Sequence, residues 1–148
     1  MSTTRSKRWI TRLALGIVLA ASVVGCGWFD DPTPKVVTAQ IEGAGVVQIV
    51  TSQKFVAAKS QTTGALRVQA FAADTITVNL PWQRDFSIQT DPRFFIEVSM
   101  KGEEPTGLDF RIFLDGTQKY RTGRSIAESP IRFVYLLNQA PITNVDVL

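Results

Sequence analysis

The chain of 148 residues contains no histidine and one cysteine, Cys26. The first absence removes Ser-His-Asp and Cys-His nucleophilic sites and the commonest transition-metal ligand. The second removes any intrachain disulfide. No GxGxxG, GxxxxGK[ST] or GxSxG sequence occurs, so the phosphate-cradling loops and the nucleophile elbow are missing as well. Acidic residues are absent before Asp30. The longest apolar run, Leu13–Val24, covers twelve residues, short of the ~20 that a single-pass membrane helix needs.

What is present starts with charge. A formal charge of +3 and a pI near 9.3 would point to nucleic acid or a membrane surface. Arg5, Lys7, Arg8 and Arg12 supply four of the sixteen basic residues. From Cys26 onward, twelve basic residues face thirteen acidic ones, a balance of −1. The basicity therefore belongs to the start of the chain, and nucleic acid is not an expected partner. With 45% hydrophobic and 20% charged residues the remainder has a globular composition.

Residues 1–25 divide into a basic segment, the apolar run and Gly25, the three zones of a secretory signal. Val23-Val24-Gly25-Cys26 then has the form of a bacterial lipobox, with an aliphatic residue at −3, a small residue at −1 and cysteine at +1. The Cys26 thiol is the nucleophile that accepts diacylglycerol as a thioether. Gly25 leaves the bond before Cys26 open to the signal peptidase. The freed amino group takes a further acyl chain, and two or more chains anchor stably where one binds marginally. The expected arrangement is a cleaved signal at 1–25, a lipidated cysteine with its tether at 26–35, and a domain at 36–148. Gly27 follows Cys26 where aspartate would resemble an inner-membrane retention signal. The expected location is thus the cell envelope, at the outer membrane if the cell has one. The stretch "GWFDDPTPK", with two prolines and no periodicity, reads as an extended tether of ~30 Å reach.

From Val36 the apolar period is two. Ile76, Val78 and Leu80 alternate with polar residues. Phe94, Ile96, Val98 and Met100 alternate with Phe95, Glu97, Ser99 and Lys101, and Leu108, Phe110, Ile112 and Leu114 with Asp109, Arg111, Phe113 and Asp115; Ile131, Phe133, Tyr135 and Leu137 form another such set. These are strands with one buried face. Weaker runs at 36–42, 46–52, 65–73 and 84–90 add more. Gly43-Ala44-Gly45 and Gly102–Gly107 separate runs, and Asp115-Gly116 is a two-residue type I′ hairpin signal. Seven or eight short strands at this spacing predict an all-β fold, an antiparallel β-sandwich of the immunoglobulin-like kind, with a small β-barrel as the alternative. Residues 53–64 read as a crossover or an irregular edge.

Chemistry is sparse. The acid pairs Asp30-Asp31 and Glu103-Glu104 read as solubilising charges rather than as two carboxylates across a cleft. A calcium site from Glu103, Glu104 and Asp109 has no loop signature. No enzyme activity, metal or cofactor is expected. Arg111, Lys119, Arg121 and Arg124 surround the Asp115-Gly116 turn, where they form either a patch for an acidic partner or lipid headgroups, or edge-strand cations that block aggregation. Pro81 ends its strand. Trp82 beside it is either a core anchor or an exposed contact, with core favoured.

Three segments, "IEGAGVVQIVT" from Ile41, "VNLPWQRDF" with Leu80-Pro81-Trp82, and "LDFRIFLDGTQKYRTGRS" from Leu108 to Ser125, follow one another in an order and spacing that resemble the MmpS family. These are small mycobacterial membrane proteins that accompany large RND-type exporters. The resemblance implies an extracytoplasmic β-sandwich whose partner is an RND-type transporter, with the first segment as an opening hairpin. The family's uncleaved membrane helix is replaced here by a lipobox. Phe110 stands where its first cysteine would be, and a second cysteine is missing.

Overall fold

The computed structural model describes residues 33–148; Gly25, Cys26 and the first part of the tether lie outside the described residues. The described chain is all-β, with nine strands in two packed sheets. They are β1 (Val36–Ala44), β2 (Val46–Lys59), β3 (Leu66–Asn79), β4 (Trp82–Ser87), β5 (Arg93–Met100), β6 (Thr106–Leu114), β7 (Thr117–Thr122), β8 (Ile131–Leu136) and β9 (Val145–Val147). One sheet has the order β4-β1-β6-β7 and the other β8-β5-β2-β3-β9. Every pair between named strands is antiparallel except β3 with β9. The runs at 65–73 and Ile76–Leu80 are one strand, β3, while β7 and β9 lie outside the apolar runs: β7 is signalled only by the Asp115-Gly116 turn, and β9, three residues long, carries too little pattern to be read as a strand.

The two sheets share their strands through corners. β1 pairs with β4 from Val36↔Ser87 to Ile41↔Trp82, and β2 pairs with β3 from Val46↔Asn79 to Lys59↔Leu66. The Leu80 amide donates to the Gly45 carbonyl (2.9 Å), which carries the ladder across the corner. Residues 36–59 and 66–87 are therefore one long hairpin, bent once at Gly45 and at the cis Leu80–Pro81 peptide. Gly43-Ala44-Gly45 is thus a sheet-to-sheet corner and not the hairpin its sequence and the family resemblance imply. β5 and β6 flank β2 and β1 in the same way, and β8 and β7 flank them in turn.

The corner needs glycine at position 43. Its φ is +131°, and a Cβ there would lie 2.8 Å from the Thr106 carbonyl oxygen of the neighbouring strand. Asp115 (φ 45°) and Gly116 (φ 77°) both take positive φ, the requirement of the type I′ turn that joins β6 to β7.

The main core lies between the sheets. Val37, Ala39 and Ile41 of β1 and Leu108, Phe110, Ile112 and Leu114 of β6 meet Val47, Ile49, Phe94, Ile96, Val98, Ile131, Phe133 and Tyr135. The period-two residues of the sequence are these inward faces. Aromatic contacts bridge the sheets at both open sides. Phe86 of β4 meets Phe94 of β5 (4.8 Å between centroids), and Tyr120 of β7 meets Phe133 of β8 (5.6 Å). Full burial of such a side chain contributes about 1.5–3 kcal/mol.

A bulge then builds a second core. Pairing of β2 shifts register between Thr51 and Lys54 and again before Phe55. Ser52 at the bulge is buried, and its hydroxyl donates to the Ala72 carbonyl (2.7 Å) and accepts from the Lys54 amide (3.1 Å). The shift turns Phe55 and Ala57 to the opposite face of the sheet. There they join Val68, Phe95, Val134 and Val145. The five-stranded sheet curls around this cluster into a half-barrel, and an isolated antiparallel bridge between Val134 and Ile142 draws the C-terminal segment back across it. Residues 53–64, expected as a crossover or an irregular edge, are instead the end of β2 and the tip of the long hairpin.

Candidate functional site

The expected basic patch is divided by its contacts. Arg111 and Arg121 are direct cross-strand partners on β6 and β7. Asp109 lies two residues before Arg111 on the same face, and its carboxylate accepts from both guanidiniums. Arg121 donates through Nε (2.9 Å) and Nη2 (3.0 Å), Arg111 through Nε (2.9 Å) and also Nη2. The hydrogen bond from Arg121, then that from Arg111, holds the Asp109 carboxyl below the usual carboxylate range, against a smaller opposing effect of desolvation. Arg121 is raised correspondingly, chiefly by its hydrogen bond to Asp109. The three side chains form a two-to-one ion cluster carrying one net positive charge rather than two free cations.

Arg124 turns to its own loop. Its guanidinium donates to the carbonyls of Ser125 (3.2 Å), Ser129 (3.0 Å) and Pro130 (2.5 Å), so it clamps the loop between β7 and β8. Lys119 is exposed at the β7 register shift. Trp82 opens the edge strand β4 opposite Ile41 and packs, partly buried, against the main core. Two of the three acids considered for calcium are separately engaged: Glu104 accepts from the Ser125 hydroxyl, and Asp109 from the two arginines.

Where the chain enters the domain it is held. Lys35 and Val36 amides donate to Asp115 Oδ1 (3.0 and 2.9 Å), and the Lys35 carbonyl accepts from the Ile88 amide (2.8 Å). The last residue assigned to the tether is thus part of the folded unit.

Two concavities are lined by described residues. One, of about 280 Å³, lies at the bulge between the edges of β3 and β4. Arg84 crosses it, 3.6 Å from Asp74 and 5.2 Å from the Phe86 ring centroid. The other, of about 510 Å³, lies at the end of the half-barrel between the hairpin tip and the C-terminal segment. Ala57, Leu66, Leu136 and Ile142 form its apolar wall, with Lys59, Gln139 and Asn144 among the polar groups around it. Its size falls within the range of small-molecule sites. The site has no continuous signature in the sequence because the bulge breaks the alternation. The available signal is Phe55-Ala57-Lys59 opposite Ala70-Val68-Leu66, a second period-two face that starts only after Lys54.

Compared with known protein families, with curated proteins and with solved structures, the chain gives no match in any of the three.

Proposed function

We propose that the protein is a lipid-anchored extracytoplasmic envelope protein whose β-sandwich works by binding rather than by catalysis. The observation that carries this reading is the placement of the sole cysteine, Cys26, at the end of a signal-like apolar run in the sequence Val23-Val24-Gly25-Cys26. Signal cleavage before Cys26 and acylation at that residue fix the domain to a membrane through its tether. The lack of histidine and of any thiol after Cys26 leaves the domain without the usual nucleophile–base pairs. The half-barrel cavity supports a ligand-binding role. Metabolic labelling with palmitate tests the anchor: the protein incorporates label and Cys26→Ser does not. Equal labelling of both would remove the basis of the reading.

A second reading makes the domain an accessory of an RND-type exporter. It is favoured by the succession of the Ile41, Leu80-Pro81-Trp82 and Asp115-Gly116 segments. Crosslinking in native membranes followed by capture of the tagged protein recovers the transporter on this reading. Recovery of no transporter leaves the ligand-binding form alone.

A further inference from the structure

We infer that the half-barrel cavity is a binding site for an amphipath with one short aliphatic chain and one anionic head, the head held by Lys59. The proposal deepens the binding role given above, and its ligand recognition does not depend on lipidation at Cys26.

Register places Lys59 on the inner face. After the bulge, Phe55, Ala57 and Lys59 lie opposite Ala70, Val68 and Leu66. Phe55 and Val68 are buried in the half-barrel core, with Ala57, Leu66 and Ala70 packed against it. Lys59 continues that face by one step, so its ammonium stands at the mouth of an apolar wall. Among the described residues it makes no hydrogen bond or ion pair, and no carboxylate lines the cavity. Asp146 is the nearest acid in register; it stands opposite Arg67, one residue along β3 from Leu66 and so on the alternate face. A lysine facing solvent needs no explanation, but here a cation continues the face of an apolar wall. Lys59 is exposed, so its stem lies along the apolar wall while its hydrated ammonium is open to an anionic head. Gln139 and Asn144 stand by with further donors for the same head.

The wall sets the other half of the ligand. Ala57, Leu66, Leu136 and Ile142 offer aliphatic contact and no aromatic ring, which suits a methylene chain and gives no stacking platform for a planar base or ring. A polar ligand would leave this surface unmatched, and a cationic one would meet Lys59. Position supports a membrane-derived occupant. Gln53 Nε2 donates to the Ser87 carbonyl (2.6 Å), and Ser87 pairs with Val36. The bulge is thus level with the point where the tether enters, and the cavity lies beyond it along β2.

The test is calorimetric titration of the full chain in nanodiscs of zwitterionic lipid, read against empty nanodiscs, with octanoate, octanol and octylamine. Octanoate binds saturably, octanol more weakly, and octylamine does not bind. Lys59→Ala weakens octanoate about three- to fivefold, the upper part of the range for a solvent-exposed ion pair, and leaves octanol unchanged. Ala57→Trp fills the cavity and removes both. Lys59 is exposed, so its variants keep the fold, and circular dichroism confirms this for Ala57→Trp. Absence of saturable octanoate binding, equal binding of octylamine, or an unchanged octanoate affinity in Lys59→Ala overturns the proposal. A Cys26→Ser chain that binds octanoate normally separates this outcome from that of the anchor.

Discussion

Replacing Gly43 by alanine tests the bent-hairpin architecture directly. At φ +131° an L residue is strained by up to ~3 kcal/mol. Reduced freedom of the unfolded chain returns ~0.7 kcal/mol. The added methyl would also sit 2.8 Å from the Thr106 carbonyl oxygen, a backbone atom of β6 that moves only with its strand. The sum is a loss of ~2–4 kcal/mol, a large part of the stability of a domain this size. Gly64→Ala is the internal control. Gly64 also has positive φ (+71°), yet nothing lies within 4 Å of where its Cβ would be. Its strain of ~1–2 kcal/mol is partly offset by the same ~0.7 kcal/mol, so the net loss is ~1 kcal/mol. Equilibrium urea unfolding of the two variants beside the parent, followed by far-ultraviolet circular dichroism, reads the difference. Equal losses in both would mean that the corner does not press on β6, and the crowding argument would be wrong.

Other expectations follow from individual contacts. Phe133→Ala leaves a cavity at a fully buried position between the sheets and costs ~3–5 kcal/mol, measured by the same unfolding assay. Because the folded carboxyl of Asp109 titrates below its unfolded value, its contribution is present above the unfolded pKa of ~3.9 and is lost as pH falls through the folded one. Asp109→Asn should therefore flatten the acid limb of the stability–pH curve while changing its shape little near neutrality. Tyr135 has the opposite sign: burial, aided by Asp115, raises its phenol pKa above 10.0. Its contribution is intact below that pH and is lost above it, so Tyr135→Phe should reduce the alkaline loss of stability. Asp115→Asn keeps a residue that tolerates positive φ but weakens the acceptor for Lys35 and Val36, and hydrogen exchange at the Val36 amide should accelerate.

Strand faces that meet only the main core were legible in the sequence. Leu108, Phe110, Ile112 and Leu114 alternate cleanly because β6 is buried on one side alone. β5 and β8 are covered on both sides at one end, so Phe95 and Val134 are buried where alternation assigns an outward face. The corner was not legible, because a Gly-X-Gly run serves a hairpin and a change of sheet equally well. The half-barrel was hidden by the bulge, which moves the inner face from Thr51 to Phe55 without any residue type that announces it. At the basic patch the signal was present: in Leu108-Asp109-Phe110-Arg111 the period of two puts Asp109 and Arg111 on one face. Only the pairing of Arg111 with Arg121 brings the second guanidinium to the same carboxylate. Arg124 gave no local sign that its partners would be three backbone carbonyls of its own loop.

On the proposed lipoprotein reading, the working chain begins at Cys26 and carries acyl chains there. Intact-mass spectrometry of the protein extracted from membranes measures both at once. The expected result is a single species that starts at Cys26 and bears diacylglycerol and a further acyl chain. A species that retains residues 1–25, or one that starts elsewhere with an unmodified cysteine, would contradict it.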